Sequence, residues 1–495
     1  MSWTERISLI SFLTLSIFLS SNFAAQEMAF AEKEVKNVKA GKVDPSDKLA
    51  TANAAFEVDK MGNVSDFDPA TWVGPTGDTI KMAIVASFSG PSAINGQFYW
   101  ACVSFIAHDI NKRGGIWVDG KKKLIEVIKA DTKGQVDQAK KVTERMILQE
   151  KVKLLWGTDG SHIMKVINEV ANKYKVIALN ASCTSDDIQT AENFGRYSFH
   201  GGFSSDQVAR GLAYFYGQVR KKEKKFYILC QDYGFGHTFA DGFKNGLKLY
   251  YPEAQIVGED YHKLFLTDFA PYLSKIKASG AEVIFTGDWV PDASNLAKQA
   301  QQMGLNIPFA NIWMTDANMV HDLGIEGAKG WVHVGPYHSP VPFDAAPGYT
   351  KFYKTWNDQW KKWKTPPYNS PSFAHTPAGV GGSWMMQTYW LLNLVERAKT
   401  TDGDKIAQLW EGDTYRGANG KVLKMRACDH KVIQDLSAEE YAPPSQQKAS
   451  FTIPPYYWFK EASAPGTIYR LPAGMVLPWM DQKLDRCKGK NDWGE

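Results

Sequence analysis

Two short stretches concentrate the polar chemistry of this 495-residue chain. They are Gly157-Thr158-Asp159-Gly160-Ser161-His162 and Ala181-Ser182-Cys183-Thr184-Ser185-Asp186, and each opens a helix after an apolar run. A helix start exposes backbone N–H groups without intrahelical partners and the positive end of the helix dipole, which suits a carboxylate or amide oxygen. Hydroxyls such as Ser161, Ser182 and Thr184 also cap helix starts, and capping is compatible with binding. Covalent chemistry finds no such constellation. The chain has no G-x-x-x-x-G-K-S/T phosphate loop and no G-x-S-x-G elbow, and Tyr233-Gly234-Phe235-Gly236 lacks the third glycine of a dinucleotide fingerprint. His333 and His338, separated by a Gly-Pro loop, read as structural or surface histidines rather than metal ligands. Asp186 and Asp187 are adjacent at a helix start, so their side chains point apart and compensate the dipole. No catalytic residue, metal site or cofactor is expected.

The elements that position these loops begin at Thr79. Strands are predicted at Ile80–Val85, Leu124–Ala130, Leu154–Trp156 and Val176–Leu179, with helices at 96–112, 135–150 and from Ser161 through Tyr174. Val136, Ala139, Val142, Met146 and Ile147 recur at helical spacing in the second helix. A second series starts near Ser204, with strands at 226–230, 255–257, 283–286 and 309–313 separated by helices. Strands alternating with helices of this length form βαβ units and mostly parallel sheets. Two such series predict two α/β lobes. Beyond Trp331 the chain is rich in Pro, Trp and Tyr, with helices predicted at 348–363 and 379–397 and a turn at Gly417–Gly420 before a strand at 421–425.

Composition bounds the function classes. The length exceeds one compact core. Hydrophobic residues at 44% and charged residues at 22% are ordinary for a globular protein. A net charge of +4 from 57 basic and 53 acidic residues excludes a dedicated nucleic-acid binder, which needs a concentrated basic surface. The Lys221–Lys225 cluster reads as a solvated loop. At the N-terminus, Arg6, the apolar run Ile7–Leu19 and the small residues of Ala29-Phe30-Ala31 form an export-signal pattern over residues 1–31, with cleavage after Ala24 or Ala25 as the alternative. Residues 32–77 are polar and read as a linker or surface-wrapping extension without a core pattern. Five cysteines, an odd number, leave at least one thiol free in an oxidising compartment. Cys428 and Cys487, both in the C-terminal tail, are the favoured pair, and Cys102 and Cys230 read as buried small hydrophobes.

The segment IKMAIVASFSGP (80–91), with Gly96 and the later Asp109-Ile110-Asn111-Lys112-Arg113-Gly114-Gly115-Ile116, resembles the opening of periplasmic binding proteins of the leucine/isoleucine/valine type. The resemblance continues at Gln231–Gly236, Thr267–Phe269, Ile276–Ile284, Ala297–Leu305 and Asp429-His430, and covers about residues 78–435. It implies two Rossmann-like lobes with parallel sheets, joined by three hinge crossovers near 199–202, 334–336 and 420–430. The expected division is lobe 1 at 78–202 and 335–425, lobe 2 at 203–334, and 426–495 as the return to lobe 2 and a C-terminal tail. The resemblance also implies a ligand cleft between lobes. In it Gly160, Ser161, Ser182 and Thr184 hold the ligand's polar end, Tyr233 and Trp289 supply aromatic walls, and Trp313 and Asp316 stand where amino-acid binders place an acid for an α-ammonium. Asn95 occupies a position where tyrosine is common, and Thr-Asp-Gly-Ser-His replaces a Ser/Thr-rich run. With 17 Trp in the chain, an aromatic acid or amide is as good a ligand as an amino acid. The implied function is a non-catalytic, periplasmic solute-binding component of an ABC importer. Its partners are a small-molecule ligand and a membrane permease, with no nucleic acid and no membrane insertion after signal cleavage. The alternative is a periplasmic ligand sensor acting on a signalling receptor.

Overall fold

The computed structural model describes residues 54–336, 347–374, 382–418, 420, 422–443, 445 and 464–495. The export signal, the first part of the extension, His338, Pro444, Pro454 and Pro455 lie outside the described residues. Within them, the first series folds into a five-stranded parallel sheet. Its strands are β1 (Ile80–Ala86), β2 (Ile125–Asp131), β3 (Leu154–Gly157), β4 (Ile177–Asn180) and β5 (Ser198–His200), in the order β2-β1-β3-β4-β5. β1 and β3 are buried along nearly their whole length, which accounts for their continuous apolar runs. Helices α1 (Ala93–Lys112), α2 (Val136–Leu148) and α3 (Ser161–Tyr174) connect them.

The second series repeats this plan. Helix α4 (Ser205–Tyr214) leads to β6 (Lys225–Gln231), α5 (Gly234–Tyr250), β7 (Gln255–His262), α6 (Ala270–Ser279), β8 (Val283–Thr286), α7 (Asp292–Gln302), β9 (Phe309–Asn311), α8 (Ala317–Asp322) and β10 (Val332–Gly335). Its parallel strands follow the order β7-β6-β8-β9-β10. Two strands absent from the sequence reading, β11 (Leu436–Ala442) and β12 (Ala464–Leu471), then extend the sheet antiparallel beside β10, so the second sheet is mixed rather than wholly parallel. Pairing of this kind needs no helix crossover, so it leaves no strand–helix signature in the sequence.

After β10 the chain returns to the first lobe. Helices α9 (Pro347–Trp360), α10 (Pro371–Ala374), α11 (Ser383–Ala398) and α12 (Gly403–Trp410) pack on α1 and its sheet in one core. Most of the tryptophans are used here. The indole N–H groups of Trp156, Trp356, Trp360 and Trp390 donate to Thr388 Oγ1 (2.9 Å), the Phe373 carbonyl (2.8 Å), the Ser370 carbonyl (3.1 Å) and Asp413 Oδ2 (2.8 Å). Each ring thereby contributes buried apolar area while its one polar group stays satisfied. Tryptophan abundance therefore reports this layer and says little about the ligand. Part of the 32–77 extension joins the same core. Val64 and Phe67 are buried, Trp363 donates to the Phe67 carbonyl (3.0 Å) and Trp100 to the Pro69 carbonyl (2.8 Å). Residues this sparsely apolar give no periodic signal, yet they cover an aromatic surface.

Three crossovers join the lobes, at 201–204, after Gly335, and at 434–435. The third comes later than the 420–430 expected, because Val432–Ile433 first pairs with Val422–Met425 on the lobe-one side. A buried ion pair lies at this hinge. Lys431 Nζ stands 3.2 Å from Asp186 Oδ1, while Asp186 Oδ2 accepts from the Ser205 hydroxyl (2.6 Å) and the Asp206 N–H (2.7 Å). Burial pushes the Asp186 carboxyl up, but Lys431 and these two donors outweigh it and hold the group below the usual range. Dipole compensation at a helix start thus understates Asp186, which ties the first crossover to the third. The tail closes over the same region. Cys428 and Cys487 form a disulfide, Lys431 Nζ donates to the Trp479 carbonyl (2.8 Å), and Cys102, Cys183 and Cys230 are free and buried.

Candidate functional site

In a sheet of order 2-1-3-4-5, neighbouring connections diverge to opposite faces between strands 1 and 3, and a crevice opens at the carboxyl ends of those strands. Both lobes have this order. In lobe one the crevice lies between the loops after β1 and β3, where Asp159 Oδ1 accepts the Ser87 N–H at 3.0 Å. In lobe two it lies between the loops after β6 and β8, where the Trp289 indole N–H donates to the Tyr233 hydroxyl at 3.0 Å. The two crevices face each other across one cavity of about 90 Å³. That is several times the ~10–15 Å³ that admits a single water, so a compact organic molecule fits.

Of the residues expected at the site, Asn95, Ser161, Ser182, Thr184, Tyr233 and Trp289 line this cavity, as do Trp313 and Asp316. Gly160 does not. It is the N-cap of α3, in extended conformation, and supplies no side-chain acceptor to the helix start. Ser182 Oγ and the Tyr99 hydroxyl are 2.9 Å apart, which fixes the loop after β4 against α1. Cys183 reinforces it, its N–H donating to Asn180 Oδ1 (2.9 Å) and its thiol to the Thr158 carbonyl (3.1 Å). Burial pushes the Tyr99 and Tyr233 hydroxyls well above the usual range, so both stay protonated. Burial also holds the His162 imidazole below its ordinary value. Its ring meets Tyr233 edge-on with centroids 5.8 Å apart, a contact between lobes.

The glycines around Tyr233 serve close approach. A Cβ on Gly236 would stand 1.9 Å from the Gln231 carbonyl, so only glycine lets α5 start directly beneath β6. On Gly234 it would meet Asp187 Oδ2 of the other lobe at 2.7 Å. Tyr233 is thus held at the point where the lobes touch.

Asp316 is used differently from a free counter-charge. Its Oδ1 accepts the Met319 N–H (2.9 Å) as the N-cap of α8, and Oδ2 accepts the Ser372 hydroxyl (2.5 Å) from α10 in lobe one. Asn318 Nδ2 donates to Ser370 Oγ (2.9 Å) beside it. Burial raises the Asp316 carboxyl above its ordinary value, partly offset by these donors. The lobes are therefore latched across the cleft.

Several lining residues escaped the sequence reading, among them Phe98, Tyr99, Asp159, Phe235, Ser372 and Trp384. Phe98 and Tyr99 follow Asn95 by three and four positions on one helix face, a readable signal. Ser372 and Trp384 arrive from a distant part of the chain and carry no local one.

The sequence profile of the family described as "Periplasmic binding protein" matches residues 79–442. The chain belongs to that family, whose members are solute-binding proteins. Among curated relatives, "Leu/Ile/Val-binding protein homolog 4" of Brucella melitensis is 24% identical over 391 residues, 77% of this chain and 88% of the relative. An "Amino acid binding protein" of Pseudomonas aeruginosa is 29% identical over 248 residues, 49% of this chain and 62% of that protein. The crystal structure of a periplasmic binding protein from Burkholderia mallei has a TM-score of 0.65 at 21% identity, covering 83% of this chain and 99% of its own. A solute-binding protein of an ABC transporter from Rhodopseudomonas palustris, in complex with 3,4-dihydroxybenzoic acid, has a TM-score of 0.63 at 19% identity, covering 80% and 98%.

Proposed function

We propose that this chain is the substrate-binding component of an ABC-type importer. It captures a small organic solute by closing two lobes and presents it to a membrane permease without turning it over. The observation that carries the reading is the cavity itself, built from the switch points of both sheets and bridged by lobe-to-lobe hydrogen bonds. Closure around a guest excludes water and strengthens each polar contact inside. Ser161, Ser182 and Thr184 on one side and Tyr233, Trp289, Trp313 and Asp316 on the other are the proposed ligand contacts, with Asn95 at the edge and Gly160 orienting α3. The Brucella relative's name refers to Leu, Ile and Val, the Pseudomonas relative's to amino acids, and the Rhodopseudomonas structure holds a hydroxylated benzoic acid. Membership of the family and the amino-terminal export pattern support a periplasmic location, and among the described residues no helix is long and apolar enough to cross a membrane.

A thermal-shift screen over amino acids, amides, amines and aromatic acids tests this, because a ligand at 100 times its Kd adds ~2.7 kcal/mol of stability. The hit should also lower the radius of gyration in solution scattering. Chemical conversion of the hit by purified protein would overturn the non-catalytic reading.

A further inference from the structure

Among the described residues the cavity is lined by two carboxylates, Asp159 from lobe one and Asp316 from lobe two, and by no lysine or arginine. Asp159 accepts from the Ser87 N–H (3.0 Å) and the Thr158 hydroxyl (3.3 Å), and Asp316 from the Met319 N–H and the Ser372 hydroxyl. All these donors are neutral. Among the described residues no cationic side chain stands within 4.0 Å of either carboxylate. The walls between them are Trp289, Trp313, Trp384, Tyr99, Tyr233 and Phe98. Aromatic faces present negative electrostatic potential, and indole does so most strongly. Carboxylates and π-faces together make a site selective for positive charge.

The helix start at Ser161 would ordinarily favour an anionic ligand end. Here the residue before its N-cap is Asp159, so the chain places its own negative charge beside the dipole. A ligand carboxylate in that position would meet a like charge in a water-poor cleft.

We infer that the solute is a small organic cation, a protonated amine or quaternary ammonium without a free carboxylate, with its charge between Asp159 and Asp316 and its body against the indoles. This rests on the reading of the cavity as a solute site. The test is titration calorimetry with indole fluorescence on the purified protein, ranking choline, ethanolamine and n-butylamine against leucine, 4-hydroxybenzoate and butyramide. At least one cation should bind tenfold more tightly than every other probe and quench the indoles. Asp159→Asn, which keeps the acceptor for Ser87, should weaken that cation at least tenfold and tighten leucine. If leucine, 4-hydroxybenzoate or butyramide binds most tightly, the cation inference is overturned while solute capture stands. If no probe of any class binds, both fall. Should the variant fail to fold, the wild-type ranking alone decides.

Discussion

Replacing Ser372 with alanine removes a hydrogen bond that exists only when the lobes are together. The Ser372 hydroxyl donates across the cleft to Asp316 Oδ2 at 2.5 Å, and the serine is 4% exposed. A hydrogen bond to a charged acceptor contributes about 1.5–3 kcal/mol. In the open form water replaces it, so the differential sits near the lower figure, about 1.5 kcal/mol. That corresponds to a roughly tenfold fall in the closed-to-open ratio. Because a trapped solute binds the closed form, apparent Kd rises as that form becomes scarcer, up to about tenfold. Calorimetry with the screened ligand measures the Kd, and scattering of the ligand-free variant should show a larger radius of gyration. Ser370→Ala removes the neighbouring bond from Asn318, which joins neutral partners and is worth about 1 kcal/mol, so its effect should be about fivefold. If Ser372→Ala leaves both Kd and scattering within error of wild type, this latch does not govern closure and the argument is refuted.

Four further outcomes follow from the same geometry. Gly236→Ala forces a Cβ against the Gln231 carbonyl and should lower stability by about 1–3 kcal/mol in urea denaturation, as overpacking does, while displacing Tyr233 and weakening ligand binding. Lys431→Met strands the buried Asp186 carboxylate and should cost about 3–5 kcal/mol, a loss that the double replacement with Asp186→Leu should largely recover. The disulfide closes a sequence separation of 59, for which chain entropy gives about 4 kcal/mol, so Cys428→Ser with Cys487→Ser should move the urea midpoint down clearly. Glu411 is pushed up by burial, but His430 and Arg486 dominate and bring its carboxyl down to about 2. A depressed carboxyl stabilises fully above its unfolded value of about 4.3 and loses that contribution as pH falls toward 2, so urea midpoints of wild type should drop across this window and Glu411→Gln should flatten that part of the profile.

The strand–helix alternation was legible because each element of a parallel α/β sheet carries its own periodicity. Val283–Thr286 matches its predicted limits, and most other parallel strands fall within two residues at each end. The strand predicted at 255–257 instead runs to His262. There Glu259 and Asp260 break the apolar pattern while Lys244 and Lys275 pair with them from neighbouring helices. The loops after strands were legible for a related reason, since small and hydroxyl residues at helix starts are local features. Pairings between distant segments were not. β12 contributes no helix and no turn to announce it, and the 17 tryptophans were weighed toward an aromatic ligand because nothing local tells a buried indole with a carbonyl partner from one that faces a cavity.

On the cation inference, the charge that selects the solute sits on loop residues, Asp159 together with Asp316, rather than on the scaffold. The scaffold supplies two crevices at fixed places, because strand order determines where connections diverge. It supplies hydroxyls and N–H groups at helix starts almost by default, since these also cap the helices. Neither feature distinguishes one solute from another. A charged side chain in the loop after β3 does, because it lies against the cavity without a cationic partner among the described residues and attracts a guest of opposite sign. The residue at position 159 can therefore be replaced without disturbing the sheet that presents it, whereas Asp316 also caps α8 and joins the lobes.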